Sequence, residues 1–450
     1  MRSISAGRLG NALLLALPAL LIVYFAFRGG GYFAGSTATA AVLVWVAFAL
    51  RMVIADRPVA GFSRPLVAAA AALALLAVWA LVSTAWSDSA ARGLIEFDRA
   101  LLYLGLLLLF GSLPRTTEQL DWALRGLLLA MVTVGAFALL SRVLPDVVTI
   151  SNDIAADRLS YPLTYWNALG LLLGIGLILA LHFASSEREP GWMRVAGAGA
   201  TPVLASGLYL TLSRGAIAVT AAGVVAYLLL GRPRGALAGL LAVAPACVLA
   251  VMAAYDADLL TTKMPTTAAA VEQGKDAARV IGLSVLLALA VRLAGLLLDR
   301  RLARIRVAPR ARRAAWAGTA GLVAVALAVS WSALDLGARV ERQYDGFVNG
   351  NQVETGGNVR SRLTEPGNNG RLDSWQAALD AFEREPLLGT GAGTYGITWA
   401  RERPITLKAE DAHSLYIELL SELGLPGLLL TLAAVVLVLL AFARGLSGPD

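Results

Sequence analysis

Apolar residues run through this chain in long blocks separated by short polar clusters, with neither the strict alternation of strands nor the narrow stripe of a surface helix. A hydrocarbon core about 30 Å thick is crossed by about 20 apolar residues rising roughly 1.5 Å each. On that template about twelve stretches qualify as spans: Leu13 to Phe27, Ala38 to Ala55, Leu66 to Val82, Ala100 to Leu113, Trp122 to Leu140, Asn167 to Phe183, Val195 to Leu212, Ala216 to Leu230, Ala236 to Tyr255, Val280 to Leu298, Trp316 to Leu334 and Leu423 to Phe442. The first follows Arg2 and Arg8 as a signal peptide would, but no small-residue cleavage site follows it, so it reads as a span. The pattern predicts an all-α polytopic membrane protein with about 12 transmembrane helices and one large external loop containing short helices. Its organisation is 1–334 for the first eleven helices, 335–422 for an extracytoplasmic catalytic loop, and 423–450 for the last helix and a cytoplasmic tail.

Composition agrees. Of 450 residues 58% are hydrophobic and 15% charged, against about 25% charged in soluble domains. The net charge of +7 comes from arginines clustered between apolar blocks, as in membrane-protein loops, which disfavours a nucleic-acid partner. Alternate loops carry Arg51, Arg57 and Arg64, then Arg115 and Arg125, Arg188 and Arg194, Arg232 and Arg234, and finally the run from Arg300 to Arg313. By the positive-inside rule those loops and both termini are cytoplasmic, in the plasma membrane, and the long polar stretch before Leu423 faces outside. One cysteine, Cys247, and two histidines, His182 and His413, fit no zinc spacing, so neither metal nor cofactor is expected.

Within the external stretch, Asn349 to Gly370 is rich in turn formers. Leu372, Trp375, Leu379 and Phe382 then recur at helical spacing from a start at Asn368 or Asn369, and Pro386 stops the run. Arg371 falls in the first turn, where the helix dipole disfavours a cation. It reads either as an exposed side chain paired with Asp373 or a nearby carboxylate, or as half of an anion site made with the free N–H groups of the helix start. Gly389-Thr390-Gly391-Ala392-Gly393 follows a helix and a proline where a dinucleotide fingerprint needs a strand before it and a helix after it, and reads as a tight, close-packed turn. Asp411 is a candidate N-cap, placing His413 in a first turn where the dipole favours neutral imidazole. His413 is either structural or a general base.

Three further cations share the outer side by the span count. Arg214, in Ser213-Arg214-Gly215 between two apolar runs, either snorkels to headgroups or faces a lipid-linked phosphate. Arg158 precedes Tyr165-Trp166-Asn167, and Arg99 follows Trp86-Ser87-Asp88.

These residues together resemble the O-antigen ligase and polymerase superfamily of bacterial envelope glycan assembly. The resemblance rests on the Ser213-Arg214-Gly215 turn, the Asn369-Gly370-Arg371 to Trp375 helix start, the Pro386 to Gly393 turn, the Ala412-His413 pair and the segment Glu422 to Gly427, and runs from about Trp86 to Leu430. It implies metal-independent, inverting transfer of a glycan from an undecaprenyl-diphosphate-linked donor to the hydroxyl of a glycan or lipid acceptor, at the outer face of the bilayer. Arg214 and Arg371 then look like diphosphate-binding arginines, and His413 like the residue that positions or deprotonates the acceptor. Arg158 and Asn167 match a less specific pattern, and Arg99 and Ser213 are candidate substrate-binding residues beside them. Ser414 stands where the family often has Asn, and the Gly- and Asn-rich stretch before Asn369 departs from the family pattern, which leaves the acceptor open. Rival readings are a polymerase of the same superfamily, a twelve-span transporter, which would put its ionisable groups near the midplane on broken helices, and a metal-dependent glycosyltransferase suggested by Asp256-Ala257-Asp258, which lacks further ligands.

Overall fold

A computed structural model describes residues 6–113, 117–150, 157–261, 266–302, 336–349, 360, 363 and 367–446. Among them every regular element is helical. The helices are α1 (Ala6–Ala26), α2 (Ala34–Ile54), α3 (Arg64–Ser83), α4 (Ala90–Gly111), α5 (Thr117–Val143), α6 (Trp166–Ser185), α7 (Gly191–Leu210), α8 (Arg214–Ala226), α9 (Ala236–Asp256), α10 (Ala268–Leu302), α11 (Leu336–Asn349), α12 (Arg371–Arg384), α13 (Tyr395–Glu402) and α14 (Leu415–Leu446).

Among the described residues eight helical stretches are long and apolar enough to cross a membrane: those of α2, α3, α5, α6, α8 with its continuation to Gly231, α9, α10 and α14. The apolar part of α1, Ala16–Ala26, is shorter. Two of the predicted spans, Ala100 to Leu113 and Val195 to Leu212, are helical in α4 and α7 but lie outside those eight. The first half of α4 carries Arg92, Glu96, Asp98 and Arg99, and α7 is built largely of Gly, Ala, Ser and Thr. α7 is buried along most of its length by α6, α9 and α10, so it does not need the apolarity of a lipid-facing helix. The predicted span Trp316 to Leu334, the arginines from Arg304 to Arg313 and most of 350–366 lie outside the described residues.

The chain divides into two compact units. One comprises Ala16–Gly30 and Asp121–Gly367. In lipid there is no hydrophobic force between helices, so close approach of small residues takes its place. A Cβ on Gly174 of α6 would lie 2.0 Å from Thr220 Oγ1 of α8, one on Gly170 2.8 Å from Ala216 Cβ, and one on Gly197 of α7 2.8 Å from Phe183 Cβ. Several buried ionisable residues of this unit are paired: fully buried Arg292 donates to the Ala184 carbonyl (2.7 Å) and to Asp299 (2.6 Å), Asp299 also accepts from Arg194 (2.8 Å), and Arg125 pairs with Glu189 (2.7 Å).

The other unit comprises Met1–Leu15, Gly31–Leu120 and Asn368–Asp450. Here α3 packs on α4 and α14, α2 on α4, and α12 on α13 and α14. The last helix starts at Leu415, eight residues before the predicted span, and is broken at Gly424 (φ 64°, ψ −165°), a backbone conformation essentially restricted to glycine. The backbone at the break finds partners in other elements of the unit. Thr390 N–H donates to the Ser421 carbonyl (2.9 Å), Gly391 N–H to that of Glu422 (2.8 Å) and Trp79 Nε1–H to that of Leu423 (2.9 Å), while Leu425 N–H donates to the Pro386 carbonyl (2.9 Å).

Candidate functional site

The Gly389 to Gly393 string is the close-packed turn the sequence predicts, and its partner is the broken helix. A Cβ on Gly389 would stand 2.4 Å from the Glu422 backbone, one on Gly391 2.5 Å from Ser87 Cβ and one on Gly393 2.9 Å from Arg92 Cβ. All three glycines have positive φ. Their closeness lets the buried Glu422 carboxylate accept the N–H groups of Gly393 and Tyr395, each at 2.8 Å, at the start of α13. In the sequence Glu422 stands only as the first residue of the Glu422 to Gly427 segment, with nothing local to mark this role.

α12 begins at Arg371, after Asn369 and Gly370 in left-handed conformations (φ 52° and 75°), with the Gly370 N–H held by Asn368 Oδ1 at 2.7 Å. Its buried face is Ser374, Ala377, Ala378 and Ala381, with the predicted large apolar positions Leu372, Trp375, Leu379 and Phe382 half-buried at its margins. Small residues win the interior because Tyr395 and Trp399 of α13 fill the same core and need α12 close. Tyr395 Oη bonds Ser374 Oγ (2.6 Å), and Trp375 Nε1–H donates to the Ala412 carbonyl (2.9 Å). The segment before His413 is thereby tied to the helix that starts with Arg371. Among the described residues Arg371 forms no ion pair, and its Nε–H is buried without an acceptor, while Asp373 Oδ2 is buried without a donor. The pairing of Arg371 with Asp373 is therefore not found.

His413 corrects the sequence reading. It lies before α14 and not in its first turn, with φ 55°, and Asp411 does not cap the helix. Instead the Asp411 carboxylate accepts the His413 backbone N–H (3.2 Å) and faces its imidazole Nδ1 at 2.5 Å. That hydrogen bond and the carboxylate charge lift the His413 pKa above its ordinary value, against desolvation and the opposing charge of Arg371. The same contact holds Asp411 below the usual carboxylate range. The expected preference for neutral imidazole is reversed, because a carboxylate at contact distance outweighs a helix dipole whose end lies beyond the residue. The side chain is 41% exposed and open to a reactant. Behind it, Glu418 accepts the Ala412 N–H at 2.8 Å.

Arg99 is in the same unit. It is ion-paired with Glu96, donates to the Tyr32 carbonyl at 3.4 Å, and lines an apolar cavity of about 430 Å³ between α3, α4 and α14, together with Leu76, Tyr103 and Leu419.

Four predicted residues belong to the other unit. Ser213 is the N-cap of α8, accepting the Ala216 N–H, and its hydroxyl donates to Asn167 Oδ1 (2.8 Å), whose amide donates to Tyr165 Oη (2.7 Å). Arg214, the first residue of α8, lies 3.5 Å from the Gly367 carbonyl. Arg158 is buried with its guanidinium 4.5 Å above the Trp166 ring. Arg360 stands 4.9 Å over Tyr255 in the same way, a cation the sequence reading passed over because nothing local distinguishes it in a turn-rich stretch. Thus Asn167 and Ser213 touch directly, with Arg214 next in sequence, while Arg371 and His413 are brought together in the other unit.

Residues 277–432 match a family model described as O-antigen ligase. The matched stretch contains Arg371, Asp411, His413, Glu418 and Glu422, and Arg99, Arg158, Asn167, Ser213 and Arg214 precede it. No curated protein matches the chain.

Proposed function

We propose that this multi-span protein, whose residues 277–432 match the O-antigen ligase family, transfers a glycan from a polyprenyl diphosphate to an acceptor hydroxyl. The observation that carries the reading is the pairing of Arg371, at a helix start with its Nε buried and unaccepted, with the exposed imidazole of His413. The first suits a diphosphate, being a planar, permanently charged cation fixed at a helix start. The second suits an alcohol that must lose a proton.

In the reaction the acceptor oxygen attacks the anomeric carbon, the bond from that carbon to the diphosphate oxygen breaks, and the diphosphate leaves with the electron pair. Arg371 stabilises the charge that develops there, and a fixed donor of this kind contributes about 10²- to 10³-fold in rate. Arg214, beside the Ser213–Asn167 contact, is the second cation of the reading, and Arg158 and Arg99 are further substrate-binding residues. His413 takes the hydroxyl proton. The arginine-rich loops, cytoplasmic by the positive-inside rule, support a site for Arg371 and His413 on the extracytoplasmic face of the plasma membrane. A ligase and a polymerase share this chemistry and differ in whether the acceptor is another molecule or the growing chain.

The test is mass spectrometry of products after purified protein in liposomes is given an undecaprenyl-diphosphate-linked oligosaccharide and candidate acceptors. New glycosidic products with release of undecaprenyl diphosphate support the reading. Flux of intact substrate into the vesicles without transfer contradicts it.

A further inference from the structure

Asp411 and His413 form a unit that neither the helix start nor the apolar packing around it requires. Ala412 is already held by Trp375 and Glu418, through its carbonyl and its N–H, so the loop does not need a third anchor. Yet Asp411 spends one carboxylate oxygen on both the backbone N–H and the Nδ1 of His413 and keeps that residue in a left-handed conformation. A carboxylate accepts and cannot donate, so the imidazole nitrogen facing it must carry hydrogen. The neutral ring is then protonated on Nδ1, its lone pair is on Nε2, and Nε2 is the nitrogen turned away from Asp411.

We propose that Asp411 is a positioning residue for the transfer reaction, fixing the tautomer and direction of His413 so that Nε2 receives the acceptor proton. This deepens the reading of His413 as the base and rests on it. As the acceptor oxygen bonds to the anomeric carbon, its proton moves to Nε2, the ring becomes imidazolium, and the Asp411 carboxylate stabilises that charge while remaining ionised. The charged groups facing the ring are Asp411 beside it, Arg371 from α12, which opposes protonation, and Glu418 from α14, which favours it. Asp411 is the one in hydrogen-bond contact, so its charge dominates.

Asp411→Asn keeps an oxygen that can accept both hydrogens and removes the charge, leaving the loop geometry in place. With the full-length protein in liposomes and an undecaprenyl-diphosphate-linked oligosaccharide as donor, Asp411→Asn is expected to lower the plateau kcat about tenfold or more and to move the acid limb of the pH profile down by about one unit. Asp411→Glu recovers part of both. Independently of turnover, ¹⁵N-histidine NMR of the His182→Gln protein, which leaves His413 as the one histidine, should show a pKa above 6.5 and Nδ1 protonation in the neutral ring, with the pKa about one unit lower once Asp411→Asn is added. An unmoved pKa and an unmoved acid limb in Asp411→Asn overturn the proposal. Wild-type transfer by His413→Gln instead overturns the assignment of His413 as base, an outcome the NMR titration of Asp411→Asn separates from the first.

Discussion

Arg371 gives the sharpest single-residue expectation, because its guanidinium is held at a helix start with a buried nitrogen that no described residue accepts. Arg371→Ala is expected to reduce donor turnover about 10²-fold or more while the protein still inserts and folds, and Arg371→Lys to recover little, since a point charge does not replace a planar fork. Arg214→Ala is expected to behave like Arg371→Ala in the same turnover assay. His413→Ala lowers turnover by about 10²-fold if the imidazole is the base. The pH dependence follows from the direction of its pKa. Asp411 raises it, so the ring stays protonated to higher pH than an ordinary histidine, and transfer should climb through an acid limb above 6.5, where the neutral ring appears. A limb below 6.5 in the wild-type protein contradicts that environment. Arg371, Arg214 and His413 were each legible as candidates, from a cation in a first turn, a cation between two apolar runs, and the one histidine in the polar stretch. The Asp411 contact was not legible, because assigning Asp411 as an N-cap assumes a helix starting at once, whereas the chain makes a left-handed residue at His413 first.

At the scale of elements, the broken helix α14 and the glycine turn are one construction. Gly424 supplies a backbone angle that other residues avoid, and its Cα hydrogen faces the Leu387 carbonyl where a Cβ would stand at 2.5 Å. Gly424→Ala should destabilise the protein by about 1–3 kcal/mol, read as thermal unfolding in detergent. Glu422→Ala strands the N–H groups of Gly393 and Tyr395 in a buried site and should cost about 1–3 kcal/mol for each. The turn was legible from its glycines, and the helix from its apolar period. Their mutual fit was not, because Glu422 and Gly393 are 29 residues apart and local patterns carry no information on such pairs. The offset face of α12 has the same origin: Tyr395 and Trp399 occupy the interior that its own large residues would otherwise take.

For the whole molecule, the apolar blocks anticipated most of the helices, since span length is imposed by the bilayer and needs no knowledge of packing. They say least where packing enters: α7, sheltered by its neighbours, is a helix less apolar than a lipid-facing span, and α14 starts eight residues before its apolar block. Orientation makes its own prediction. In a Cys247→Ser background, a cysteine placed at exposed Lys408 should react with a membrane-impermeant maleimide added to intact cells, and labelling only after permeabilisation would reverse the proposed topology. The central claim is that cations and one imidazole transfer a glycan from a lipid diphosphate. Its most direct measurement is mass spectrometry of the lipid and glycan products formed by purified wild-type and Arg371→Ala protein in liposomes supplied with undecaprenyl-diphosphate-linked oligosaccharide and acceptor. Released undecaprenyl diphosphate with a matching glycosylated acceptor from the wild type, and neither from folded Arg371→Ala, is the predicted result, whereas equal product from both proteins would contradict it.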